Sequence, residues 1–118
     1  MYNSNVEGTL SLLRNAAEAG VQRFLIAGSF FEYGLSANKY KYIPVTAPLL
    51  PTNSYGSSKA VAFEKAYTFC LDAKIPLFYN RIFSAYGEGQ YYENLFPSLK
   101  NAANNDEDFI ILNPNYER

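Results

Sequence analysis

The sequence predicts an α/β fold built on a parallel sheet. Three observations carry this expectation. Of two short strand candidates, 24–27 and 77–84, the first is an apolar run without the alternation of a half-exposed strand, which suits a sheet covered on both faces. The segments around them repeat their apolar residues at helical spacing, so helix and strand alternate along the chain. Strand, helix and strand in that order imply a right-handed crossover between parallel neighbours.

Val6, Leu10, Leu13 and Ala17 recur at three- and four-residue intervals and predict an amphipathic helix over 5–19, stopped by Gly20. The strand over 24–27 runs directly into Gly28 and Ser29. Residues 35–53 follow neither period and are broken by Pro44, Pro48 and Pro51; a loop of this length is usually functional or mobile. Ser54 is placed to cap a long helix over 55–73 that buries Phe63, Ala66, Tyr67, Cys70 and Leu71. Pro76 introduces the strand over 77–84. A helix over 95–103 accepts Pro97 in its first turn, 104–108 reads as a polar turn, and 109–112 as a third strand.

With 48% apolar and 17% aromatic residues, the 118-residue chain has material for one core and at most one domain. Its net charge is -1 and its ten basic residues are scattered, which argues against a nucleic-acid or anionic-membrane partner. Lys39, Tyr40, Lys41 and Tyr42 read as a solvated loop in preference to a base-stacking patch. The single Cys70 excludes an internal disulfide framework and fits a reducing compartment. The lack of histidine removes the commonest base near neutral pH and the usual zinc ligand, so no metal site is expected. Neither a membrane-length apolar run nor a signal-peptide pattern is present, and the expected location is cytoplasmic.

Ligands of parallel sheets bind beyond the carboxyl ends of the strands. Ser29 lies at such an end, and Tyr55 begins the helix that leaves the same edge. Tyr55 and Lys59, four residues apart, share a helix face. A free tyrosine, with a pKa of about 10, is a poor base, but an ammonium and the positive end of a helix favour the phenolate. Such a tyrosine can exchange a proton with a sugar or alcohol hydroxyl while hydride moves at the same carbon, and Ser29 would hydrogen-bond that oxygen. Among eleven tyrosines and six lysines the pair would arise by chance about half a time, so alone it favours the plainer reading of an exposed aromatic beside a solvated lysine.

The full order of features is more specific: strand, Gly-Ser, Tyr-Gly, a proline-punctuated loop, Tyr-x-x-x-Lys, strand, Arg and Tyr-Gly. It resembles the extended short-chain dehydrogenase/reductase family, the nucleotide-sugar epimerases, dehydratases and reductases. "NVEGTLSLLRNAAEAGVQRFLIAGS" is similar to the helix and strand before that family's catalytic serine, and "LLPTNSYGSSKAVAFEKA" to its catalytic helix. "YNRIFSAYGEGQ" resembles the strand leading to the substrate region, and "LFPSLKNAA" the first substrate-side helix.

The resemblance implies part of a Rossmann-like doubly wound sheet, with 1–87 in the NAD(P)-binding domain and 88–118 opening the substrate-binding region. It implies that Tyr55 is the catalytic acid/base, that Lys59 holds the cofactor ribose and favours the phenolate, and that Ser29 is the catalytic serine. Ser84, where many relatives have an asparagine, and Arg118 are implied on the substrate's phosphates. NAD or NADP, a nucleotide-sugar substrate and a homodimer follow from the same likeness.

Some positions depart from the pattern. The family's 4,6-dehydratases place an Asp and a Glu directly after the catalytic threonine, whereas this chain has Phe30 and Phe31. Glu32 comes one residue late, and a one-residue offset at a strand end reverses a side chain's direction. Two roles stay open for it: partner of a nearby backbone amide, or contact to a substrate hydroxyl. Arg81 is expected to close a strand end on backbone carbonyls, and Ala47 replaces an acidic loop residue. The glycine-rich pyrophosphate turn is missing, since "GEGQYY" at 87–92 lacks a third glycine and follows the wrong strand. The chain is therefore expected to be an internal piece of a longer enzyme, lacking the N-terminal glycine-rich βαβ unit and most of the substrate domain, and inactive alone. An epimerase or 4-keto reductase is the favoured reading. A non-catalytic remnant or interaction module of the same fold is the alternative, and the two phenylalanines disfavour a dehydratase.

Overall fold

The computed structural model describes residues 1–110, in two compact units, one of Met1–Phe83 and one beginning at Ser84. In the first unit a wide helical turn, Asn3–Gly8, leads into α1 (Thr9–Glu18), followed by β1 (Phe24–Ser29), α2 (Ser54–Asp72) and β2 (Leu77–Ile82). The two strands pair in parallel, with Phe24 opposite Leu77 and Ser29 opposite Ile82. Strand, crossing helix and parallel strand thus form as the sequence predicts, although β1 reaches two residues further than expected and β2 stops two residues short.

The strands differ from expectation in their burial. One face of the pair, carrying Ile26, Gly28, Tyr79 and Arg81, is turned towards α2, where the Phe63 and Tyr79 rings lie 4.7 Å apart. On the other face Leu25 is 71% and Phe78 57% exposed. Exposure therefore alternates along strands whose sequences do not, because among the described residues only one face is covered. The apolar residues of the second face are what led the sequence to predict a sheet buried on both sides.

The core joins the helices. Val6, Leu10 and Ala62 form its buried centre, with Val61 packed beside them. On α2 the buried stripe is Ser58, Ala62, Ala66 and Cys70, at four-residue intervals. Tyr67 and Leu71, predicted for this face, are 53% and 64% exposed. They sit one residue further along, about 100° round a helix of 3.6 residues per turn, and the smaller stripe gives α2 its close approach. At the top of the stripe Asn5 Nδ2 donates to Ser58 Oγ (2.9 Å), and that hydroxyl donates to the Tyr55 carbonyl (2.8 Å).

The segment 33–50 closes on itself: Leu35 N–H donates to the Leu50 carbonyl (2.9 Å) and Leu50 N–H to that of Tyr33 (3.3 Å). Between them lie a short 3₁₀ helix, Leu35–Lys39, and exposed side chains including Tyr42 and Val45. In the second unit α3 (Leu95–Asn104) contains Pro97 in its first turn, and the Tyr86 and Phe96 rings lie 4.8 Å apart, tilted by 34°. "GEGQYY" is a loop, turned by a Gln90 N–H bond to the Gly87 carbonyl (3.4 Å). Phe109 and Ile110 are not in a strand, and the remainder of the predicted third strand lies outside the described residues, as does Arg118. Among the described residues no helix is long and apolar enough to cross a membrane.

Asn53, not Ser54, caps α2. Asn53 is extended, and its Oδ1 accepts the Gly56 N–H at 2.7 Å, while Ser54 is already the first helical residue. Asn53→Ala therefore lowers stability by about 1 kcal/mol in thermal or urea melts, the usual worth of a side-chain cap. Ser54→Ala leaves the melting curve within about 0.5 kcal/mol of wild type, as a surface change should.

Candidate active site

At the end of β1 the chain turns at once into a 3₁₀ turn, Phe30–Glu32, and Ser29 caps it. Ser29 Oγ accepts the Phe31 N–H (3.4 Å), and Glu32 Oε1 accepts the Ser29 N–H (2.7 Å), a reciprocal capping box. Ser29 is only 6% exposed, and among the described residues its hydroxyl proton has no acceptor.

Glu32 is 0% exposed. Besides the Ser29 amide, Oε1 accepts the Tyr79 hydroxyl (3.0 Å), and Oε2 accepts Arg81 Nε (2.7 Å). The Arg81 side chain is itself only 11% exposed, and its guanidinium lies over the Phe63 ring (4.3 Å), with Tyr33 and Tyr79 at 5.1 and 5.4 Å. A buried carboxylate is tolerable only when paired and hydrogen-bonded, and Glu32 meets both conditions. Tyr79 also approaches the Lys59 carbonyl at 3.3 Å. Burial, and then the negative charge of Glu32, push the Tyr79 phenol well above its ordinary pKa.

Two glycines permit this packing by close approach. A Cβ on Gly28 would stand 2.2 Å from a Tyr79 ring carbon and 2.7 Å from Glu32 Oε1. A Cβ on Gly56 would stand 2.5 Å from the Phe31 carbonyl oxygen. The glycine of "YGSSK" thus lets the first turn of α2 dock directly on the turn after β1. Docking brings the Tyr55 ring edge-on to Phe31, at 6.0 Å and 83°, with Tyr55 39% exposed. One turn along, Lys59 Nζ donates to the Ala27 carbonyl (2.6 Å), two residues before Ser29.

The structure therefore gathers Ser29, Tyr55 and Lys59 at the carboxyl end of β1. Phe31 is the shared neighbour: its amide meets Ser29, its carbonyl meets Gly56 and its ring meets Tyr55. Ser84 is exposed at the start of the second unit. Arg81 is structural as expected, but it bonds the Glu32 carboxylate and not backbone carbonyls. Of the two roles open for Glu32, the geometry fills the first, and its full burial leaves no surface for a substrate hydroxyl. Tyr79 was not singled out from the sequence. The signal for it is its place two residues before Arg81, on the strand face where Gly28 leaves room.

A Tyr-x-x-x-Lys helix docked on the serine-bearing end of a parallel strand pair is the arrangement of the extended short-chain dehydrogenase/reductase class. A sequence model of the NAD dependent epimerase/dehydratase family matches residues 1–117, and the chain belongs to that family. It is 36% identical over 95 residues to the dTDP-D-glucose 4,6-dehydratase of Mus musculus, covering 80% of this chain and 26% of that protein. To the UDP-glucose 4-epimerase of Lactobacillus helveticus it is 30% identical over 129 residues, 98% of this chain and 38% of the relative. Its fold is similar to that of the dTDP-glucose 4,6-dehydratase of Bacillus anthracis in complex with NAD, with a TM-score of 0.77, 30% identity and coverage of 89% and 33% of the two chains. The chain thus spans about a quarter to two-fifths of the length of these relatives.

The raised pKa of Tyr79 has a consequence for alkaline stability. In the unfolded chain this phenol ionises near pH 10, whereas the folded protein resists its ionisation. The stability this confers is complete below about pH 10 and is lost as pH rises through the folded value. Urea melts from pH 8 to 11 should show stability declining above about pH 10 in the wild type, with part of that decline absent in Tyr79→Phe.

Proposed function

We propose that this chain carries the proton-transfer site of an NAD(P)-dependent nucleotide-sugar epimerase or 4-keto reductase. The observation that carries the reading is the docking of Tyr55 and Lys59, on the first two turns of α2, against the Ser29 end of β1. Family membership and the similarity to a UDP-glucose 4-epimerase support it.

The residues present suit the nicotinamide-ribose end of the cofactor. One of the three Lys59 ammonium protons is used by the Ala27 carbonyl, which fixes the side chain at the strand end and leaves two donors for ribose hydroxyls. Among the described residues no glycine-rich turn is available for the pyrophosphate. Bound NAD(P) supplies hydride acceptance and donation at a sugar carbon. Tyr55, half exposed beside Phe31, takes the proton of the sugar hydroxyl as the C–O bond becomes C=O and returns it in the reverse direction. Ser29 donates its free hydroxyl proton to the same oxygen and holds it in place. Epimerisation and 4-keto reduction share this proton step, so the two are proposed together.

Phe30 and Phe31 favour this reading over dehydration. Eliminating water from a sugar needs an acid and a base beside the leaving hydroxyl, and neither phenylalanine titrates. The nearest carboxylate in sequence, Glu32, is already committed to Ser29, Tyr79 and Arg81.

In the full-length protein, assayed with NAD and UDP-glucose or dTDP-glucose, Tyr55→Phe should lower turnover about 10²–10⁴-fold. NADH affinity, followed by its fluorescence, should change little. A Tyr55→Phe variant with near-wild-type turnover would contradict the proposal.

A further inference from the structure

We propose that Glu32 is the positioning residue for Ser29, an inference that rests on reading Ser29 and Tyr55 as the pair that handles the sugar oxygen. Ser29 is the last residue of β1, where the ladder ends, so the pairing with Ile82 does not by itself hold its side chain. What holds it is the capping box. The Glu32 carboxylate fixes the Ser29 amide at 2.7 Å, within the range of charge-assisted bonds, and the Phe31 amide fixes its hydroxyl oxygen. With both bonds made, the Ser29 side chain is left with its hydroxyl proton to offer a ligand.

The same carboxylate spans the site. Through Arg81 and Tyr79 it is bolted to β2, and through the Tyr79 hydroxyl it reaches the backbone of Lys59, one turn beyond Tyr55. The position of Ser29 is thereby set relative to the helix that carries the tyrosine and the lysine. A cap needed only for stability would not require a buried charge: ion pairs of this kind can often be replaced by apolar residues at no loss. What a neutral apolar substitute lacks is an acceptor for the Ser29 amide. Acid/base catalysis depends on that placement, because small displacements of a catalytic group cost orders of magnitude in rate.

The test separates the acceptor from the ion pair. In the full-length protein two double variants both lack the Glu32–Arg81 charges: Glu32→Gln/Arg81→Met, whose amide oxygen still accepts from Ser29, and Glu32→Leu/Arg81→Met, which has no acceptor. Turnover of UDP-glucose or dTDP-glucose is measured per folded molecule, with the folded fraction taken from circular dichroism and Ser29→Ala as the reference. The glutamine variant is expected to keep kcat within about threefold of wild type, and the leucine variant to lose at least about tenfold in kcat with KM little changed. Equal kcat in the two, with Ser29→Ala impaired, overturns the positioning role and leaves the proposed function standing. Wild-type kcat in Ser29→Ala overturns the reading of Ser29, and this inference with it. If the leucine variant does not fold, Glu32→Asp replaces it: the shorter carboxylate keeps a charge for Arg81 but stops a methylene short of the Ser29 amide. It too must lose at least about tenfold in kcat, and wild-type kcat there overturns the inference.

Discussion

The buried carboxylate of Glu32 is the interaction on which the site depends. It accepts from the end of β1 through Ser29 and from two side chains of β2, and one of those, Tyr79, also touches α2. Removing such a charge from water is costly, and the attraction of one guanidinium roughly offsets that cost. Its contribution is therefore mainly geometric. A carboxylate on the turn with three bonds to the two strands permits one arrangement of strand end, turn and helix, whereas apolar contacts alone would tolerate several.

Small residues make that arrangement possible. Gly28 gives the carboxylate and the phenol passage beneath the strand, and Gly56 seats α2 on the carbonyl of Phe31. The stripe Ser58, Ala62, Ala66 and Cys70 draws α2 against the N-terminal helical segment. Close packing at these contacts places Tyr55 and Lys59 at the strand end. Function and fold thus meet in one short region, where the two residues after Ser29 are aromatic and the third is the anchoring acid.

The order of elements and the candidate residues Ser29, Tyr55 and Lys59 were legible because they depend on local spacing: an apolar run ending in Gly-Ser, and a four-residue interval on a helix. The offset of Glu32 from the dehydratase positions was legible as well, but not its direction: the residues after Ser29 form a 3₁₀ turn and not the extended strand end that alternation requires. Its partners were not legible either. Tyr79 and Arg81 lie 47 and 49 residues away, and only the register that sets Gly28 against Arg81 brings them together. Asn53 and Ser54 are both good caps, and the choice between them rests on one residue of helix phase. Tyr67 and Leu71 looked like core by hydrophobicity, but the helix buries its smaller residues and leaves these outside. Covering of the second sheet face was inferred from apolar content, which records what a strand can bury and not what lies against it.

The most direct test of this account is a thermodynamic double-mutant cycle between Glu32→Gln and Arg81→Met, measured by urea unfolding. Each single change leaves a buried charge or donor without its partner and should cost about 3–5 kcal/mol. The account predicts that the double variant is more stable than the sum of the two costs by at least about 2 kcal/mol, since the second change removes the charge the first left unpaired. Additive costs, with coupling below about 0.5 kcal/mol, would show that the two side chains act independently and would contradict the central place given to Glu32.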